Sequence, residues 1–219
     1  PLDARDGPVM LVLALDTATT DLVAGVVDGE RVVAETRVAT RAHNERLMPE
    51  ITRLLAEAGV EFSDVGAIVV GCGPGPFTGL RVGMSTASAL GQALGIPVHG
   101  VCTHDAVAVE LEGDALVVTD ARRREVYWAR YAGGERVAGP DVCKPADLAS
   151  PAVDVISVPE ALAGQLPIDA PSVTYQPPTP AGLVAAADLD ADPEPLVPLY
   201  LRRPDAVPPK QAPKSPALP

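Results

Sequence analysis

Two short stretches carry residue types suited to phosphate chemistry. Asp16-Thr17-Ala18-Thr19-Thr20 follows one apolar run, and Thr119-Asp120-Ala121-Arg122 follows another. An aspartate at the end of a strand, then small and hydroxyl residues in a turn, is suited to hold a metal ion and a triphosphate. Close approach of a phosphate to the backbone favours a glycine in such a turn. Ala18 and Ala121 stand in the two stretches instead, and a Cβ there crowds the phosphate and restricts the backbone. Asp16, Thr17 and Asp120 therefore mark a vestigial nucleotide cleft. Two ordinary capped turns are the alternative.

A third stretch, Gly73-Pro-Gly-Pro-Phe-Thr-Gly-Leu-Arg-Val-Gly83, joins the apolar run Ala67–Cys72 to an almost uncharged helix, expected over Gly79–Leu94. Glycine-rich strand-to-helix turns often cradle phosphates. This one lacks the Lys-Ser/Thr of a P-loop, and its third glycine falls one residue late for G-x-G-x-x-G. Pro74 and Pro76 also lack amide hydrogens. A rigid turn that sets the helix direction is one reading, and an anion site is the other. Arg81 is the only charge in the helix, and its small residues suit close helix packing. One face is expected to meet its own sheet and the other a partner protein. A helix buried wholly within this chain is the competing reading.

Other reactive residues are scattered. Arg122-Arg123-Arg124 reads as a solvated turn or as a contact for RNA or an acidic partner. His43, His99 and His104 do not cluster, so no protein metal site is expected. His43 suits a capping or interface place. Cys72, Cys102 and Cys143 are widely spaced and read as small hydrophobes in a reducing cytoplasm. No nucleophile-base pair and no paired carboxylates emerge, so no catalytic residue is assigned.

The elements that must position these residues are legible from periodicity. Met10–Asp16, Leu22–Asp28 and Arg31–Val38 read as strands, with Asp28-Gly29 as a hairpin turn. Asn44–Ala58 carries one apolar stripe at helical period, with Asn44 to cap it and Gly59 to end it. With Ala67–Cys72, the Gly79–Leu94 helix and Val98–Cys102, the order is β-β-β-α-β-α-β, that of a ribonuclease-H-like lobe. Strands follow at Ala115–Thr119, Glu125–Tyr131, near Arg136–Cys143 and at Asp154–Ser157, with a short helix over Ala181–Ala187. The expected division is an N-terminal lobe over 10–103, a smaller C-terminal lobe over 104–203 and a disordered Pro-rich tail over 204–219. Residues before Met10 read as a leader.

Composition sets the outer bounds. The 219 residues are 47% hydrophobic but only 3% aromatic, so the core must be built from Val, Leu and Ala. No apolar run approaches the roughly 18 residues of a membrane span, and no signal-peptide pattern is present. The net charge of −12 opposes an independent grip on nucleic acid, which rests on Lys and Arg neutralising phosphates.

Taken together, the chain resembles the TsaB (YeaZ) family. The resemblance rests on Leu13-Ala-Leu-Asp-Thr-Ala-Thr19, His43-Asn-Glu-Arg-Leu-Met-Pro-Glu-Ile51, the Gly73–Gly83 stretch, Asp120-Ala-Arg122 with Glu125-Val-Tyr127, and Pro198-Leu-Tyr-Leu-Arg202. It departs at Pro76, where the family commonly has serine. The resemblance implies an actin-like (ASKHA, ribonuclease-H-like) α/β fold of two lobes, the second reduced. It implies a non-catalytic scaffold and activator in tRNA threonylcarbamoyladenosine synthesis. The implied partners are a TsaD-like catalytic paralogue, a TsaE-like ATPase and a second copy of the chain when alone. Contact with tRNA is implied only through the complex, and none with a membrane. No cofactor is expected, beyond weak ATP or ADP binding where partners meet. The family interface lies on the two helices of the first lobe, here drawn through Leu47, Met48, Ile51, Arg81, Met84, Ser88 and Gly91. An ATP-dependent kinase of the same fold and a glycoprotease-like hydrolase are the rival functions.

Overall fold

A computed structural model describes residues 10–202. The expected leader and Pro-rich tail lie outside the described residues.

Five strands build the first sheet: β1 (Leu11–Asp16), β2 (Asp21–Asp28), β3 (Arg31–Ala39), β4 (Val65–Gly71) and β5 (Val98–Val101). Their order is β3-β2-β1-β4-β5. β1, β2 and β3 form an antiparallel meander, and β4 and β5 run parallel to β1. Parallel neighbours need long crossovers, supplied by α1 (His43–Ala58) between β3 and β4 and α2 (Phe77–Leu94) between β4 and β5. Both helices end on a left-handed glycine, Gly59 and Gly95. Asn44 does not cap α1, because the helix opens one residue earlier and Ala42 holds the cap position. α1 and α2 cover one sheet face, where Leu13, Leu15, Leu47, Ile51, Leu54, Ile68 and Leu80 are buried together.

The short helix α3 (Thr103–Ala108) leads into the second sheet. Its strands are β6 (Ala115–Arg122), β7 (Glu125–Ala132), β8 (Glu135–Cys143), β9 (Val155–Ser157) and β10 (Ser172–Thr174), in the order β10-β9-β6-β7-β8. This is the first sheet's pattern again: a meander on one side of the central strand and parallel strands on the other. The repeat is cut down. The β8–β9 connection holds one 3-10 turn, and α4 (Glu160–Ala163) between β9 and β10 is a single turn.

The chain then returns to the first sheet. α5 (Pro180–Ala185) buries Leu183 against Val12, Ala14, Ala67, Val69, Val101 and Ala106 on the face opposite α1 and α2. Thr179 caps α5, accepting from the Gly182 amide at 2.9 Å. Further on, the Leu199 amide donates to the Cys72 carbonyl at 2.9 Å, holding the final described segment beside β5. Leu183→Ala is expected to lower stability by about 2–5 kcal/mol, as for a fully buried leucine. Urea unfolding checks this, and a change below about 0.5 kcal/mol would mean that α5 is not docked.

Candidate functional site

The carboxyl ends of β1, β4 and β5 meet where open parallel sheets usually bind ligands. Asp16 ends β1 and is fully buried. Its Oδ2 accepts from the Thr103 hydroxyl at 2.7 Å and its Oδ1 from the Ala18 amide at 2.7 Å. Thr103 Oγ1 in turn accepts from the Gly73 amide at 3.3 Å. Gly71 must be glycine, because a Cβ there would coincide with the Asp16 carboxylate. Burial pushes the Asp16 carboxyl up to about 6, against the lowering effect of its hydrogen bonds from Thr103 and Ala18.

Thr17 is equally committed. Its hydroxyl donates to the Gly79 carbonyl at 2.7 Å and accepts from the Gly83 amide at 3.0 Å. Those two groups would normally close one turn of α-helix on each other, and the hydroxyl bridges them. The glycines of α2 permit this approach. A Cβ on Gly79 would stand 2.5 Å from the Thr17 carbonyl oxygen, and one on Gly83 would stand 2.5 Å from Thr17 Oγ1. A Cβ on Gly75 would overlap the Ala18 carbonyl. Gly75, Gly79 and Gly83, four residues apart, thus form a groove filled by the β1–β2 turn. The small-residue character of this helix serves a turn of its own chain.

Asp120 stands apart from Asp16 and Thr17 on the exposed end of β6, where its Oδ1 accepts from the Arg122 amide at 2.7 Å. Between Ala18–Thr20 and Thr119–Asp120, with Pro76, Pro159 and Tyr175 around it, a cavity of about 30 Å³ remains. That is the share of one water molecule in the liquid. Asp16 is sealed and the Thr17 hydroxyl is used, so neither is turned toward a triphosphate.

The residues drawn as a partner surface separate into two groups. Leu47, Ile51, Met84 and Gly91 face inward. The first three belong to the chain's own core, and a Cβ on Gly91 would overlap the Val98 side chain. Their burial within this chain leaves the expected interface to be drawn through the other three. Met48, 39% exposed, Arg81 and Ser88 face outward. The outer face of α2 continues through Ser85, Ala89, Gln92 and Ala93. Along this stretch the face is small and polar, while Leu80, Met84 and Ala87 turn to the sheet. Arg81 is tied within the chain, with its Nε donating to the Tyr200 hydroxyl at 3.0 Å.

Sequence reasoning did not name Thr103 and left His104 as an isolated histidine. His104 is fully buried, with Nε2 2.9 Å from Thr119 Oγ1, and joins α3 to β6. Burial pushes its imidazole down to about 3, so it is neutral. A hydroxyl directly after a parallel strand was the available signal for Thr103. His43 opens α1 half-buried, and burial lowers its pKa. Burial also pushes the Cys72 and Cys102 thiols up to about 12 and about 11, which leaves them poor nucleophiles. Among the described residues, no three His, Cys, Asp or Glu side chains converge as metal ligands.

The family model of TsaD, tRNA N6-adenosine threonylcarbamoyltransferase, matches residues 32–191. YeaZ from Pseudomonas aeruginosa has a similar structure, with a TM-score of 0.73 at 28% identity over 88% of this chain and all of that one. This chain belongs to the TsaD family and, within it, to the TsaB (YeaZ) group. A protein of Mycobacterium tuberculosis, described as uncharacterized, is 54% identical over 209 residues, 91% of this chain and 95% of that one. The TsaB protein of Escherichia coli, named for tRNA threonylcarbamoyladenosine biosynthesis, is 34% identical over 127 residues, 56% of this chain and 55% of that one. The fold class is the actin-like α/β class that the sequence predicts.

Two outcomes test the sealed turn. The Asp16 carboxyl lies near 6 in the folded chain and near 3.8 when exposed, so the folded state holds the proton more tightly. The associated stability is full below pH 3.8 and is lost as pH rises through 6. Asp16→Asn should remove a relative stability loss of about 3 kcal/mol across that window, read as the wild-type minus variant difference in urea midpoints at each pH. In the second test, Gly83→Ala should destabilise the chain despite alanine's better helix propensity, worth about 1 kcal/mol. Thr17→Ala should recover part of that loss in the double variant, giving a coupling of about 1 kcal/mol or more. Strict additivity would show that the two residues do not touch.

Proposed function

We propose that the chain takes part in tRNA threonylcarbamoyladenosine synthesis as a non-catalytic subunit that pairs with, and activates, a TsaD-like catalytic paralogue. The carrying observation is the closed turn. Asp16 and Thr17, the residues a related enzyme would turn toward phosphate, bond instead to Thr103, Ala18, Gly79 and Gly83. A domain that keeps the architecture but fills its ligand space is suited to act through its surface. The two sheets form the two lobes of this reading, with α5 and residues 194–202 counted with the first.

The pairing surface is the outer side of α1 and α2, redrawn through Met48, Arg81 and Ser88. Small outer residues on α2 leave its backbone open to close approach by a helix. A second copy of the chain takes the same surface when the paralogue is absent, and a TsaE-like ATPase joins the assembled pair. The chain works in the cytoplasm, where its tRNA substrate is found. Among the described residues, no helix is long and apolar enough to cross a membrane.

Purified chain and TsaD-like paralogue should co-elute as a heterodimer by light scattering, and threonylcarbamoyl transfer to tRNA should require both. Ser88→Arg and Met48→Arg, both at exposed positions, should abolish co-elution and transfer while leaving thermal unfolding within about 2 °C of wild type. Persistent pairing by both variants would displace the surface, and transfer by the chain alone would refute the non-catalytic role.

A further inference from the structure

A basic turn lies beside the closed β1–β2 turn. β6 turns into β7 through Arg122, Arg123 and Arg124, whose φ angles are 61°, 54° and 64°. Three successive left-handed residues with side chains form a turn that glycine or asparagine would relieve. The turn carries three exposed arginines; Arg122 and Arg123 line a groove of about 510 Å³, and Arg124 is the next residue along the chain. Ala121, Tyr127 and Leu201 line the groove with Phe77 and Tyr200. Those two rings stack at 5.1 Å between centroids, yet Phe77 stays 53% exposed and Tyr200 40%. The Arg81 guanidinium lies 4.1 Å from the Phe77 ring centroid, completing a layered cation and aromatic platform.

Two carboxylates lie nearby. Glu125 is ion-paired with Arg202, and Asp120 accepts from the Arg122 backbone amide. Arg41 and Arg122 line the adjoining hollow on the other side of Phe77. Such a gathering of arginines runs against a chain whose net charge is −12.

We propose that this groove is a direct contact for single-stranded RNA. An unpaired base stacks against Phe77 and Tyr200, while the adjoining backbone phosphates lie on Arg122 and Arg124. Flat aromatic faces beside cations are what unpaired nucleotides recognise, largely without regard to sequence. Repulsion from the rest of the acidic surface keeps the contact weak in the isolated chain, so it serves RNA already held by a partner. The inference rests on the proposed role in tRNA modification and replaces contact through the complex alone with a contact made by this chain.

The test uses the chain with its TsaD-like paralogue and an unmodified tRNA transcript, measuring binding by fluorescence anisotropy across a salt series. A second arm titrates a fluorescent 12-nucleotide single-stranded RNA into the chain alone at low salt. The variant Arg122→Asn with Arg124→Asn removes two cations but tolerates the left-handed backbone. With the heterodimer mass unchanged, tRNA affinity should fall about tenfold or more, and the slope of log K against log salt should become shallower by about 1.4, the effect of two single-strand phosphates. Phe77→Leu should weaken binding while leaving that slope unchanged. Unaltered affinity and slope in an intact heterodimer would overturn the proposal. Loss of the heterodimer in the arginine variant would also overturn it, assigning the turn to the protein partner. If the wild-type heterodimer never forms, the pairing role fails, and the oligonucleotide arm still decides the groove: binding lost in both variants supports it, and no binding by the wild type refutes it.

Discussion

The contact on which the molecule turns is the packing of the β1–β2 turn into the glycine face of α2. The Thr17 hydroxyl bridges Gly79 and Gly83, and the Ala18 carbonyl fills the space beside Gly75. One face of α2 is thereby fixed to the end of β1, while Leu80 and Ala87 bind it to the sheet. Asp16 closes the same region from the other side through Thr103, which begins α3 and so ties β1 to the passage between the sheets. Strand ends, helix and crossover are locked by a few short polar contacts in a nearly water-free place. The raised Asp16 carboxyl follows from that burial.

The same closure gives the site its chemical character. In an open parallel sheet the strand carboxyl ends form the crevice that receives a ligand. Here the crevice is occupied by backbone and by a buried carboxylate whose hydrogen bonds are internal. What remains available to other molecules lies outside it: the small polar face of α2, exposed Met48 on α1, and the arginine turn with its aromatic neighbours. The left-handed angles at Arg122–Arg124 cost about 1–2 kcal/mol per residue, so the turn is held by the β6–β7 ladder and by Arg202, which donates to the Arg122 carbonyl.

Much of the fold was legible because hydrophobic period speaks clearly in long elements. The meander, α1, α2 and the strands β6 to β8 fall within a few residues of their expected places. The short elements α3, α4 and β10 were not legible, since three to six residues hold too few apolar positions to show a period. Gly75, Gly79 and Gly83 were visible as a small face, but sequence cannot tell whether such a face receives another protein's helix or a turn of its own chain. The same ambiguity holds for Leu47, Ile51, Met84 and Gly91, because an apolar stripe looks alike whether it meets a partner or the sheet beneath it. The return of α5 escaped notice because it depends on contacts between residues far apart in sequence, such as Leu183 with Val12. Asp16 and Thr17 were recognised as phosphate-type residues, whereas their capture by Thr103 and α2 is a tertiary fact.

Asp16 and Thr17, the phosphate-type residues of the β1–β2 turn, are bonded within the chain itself. The most direct measurement follows the backbone amide NMR signals of Thr17, Ala18, Gly75 and Gly79 as Mg-ATP is added to the isolated chain at millimolar concentration. These signals are expected to stay in place. A saturable shift centred on those four amides would show an open nucleotide site and contradict that internal bonding.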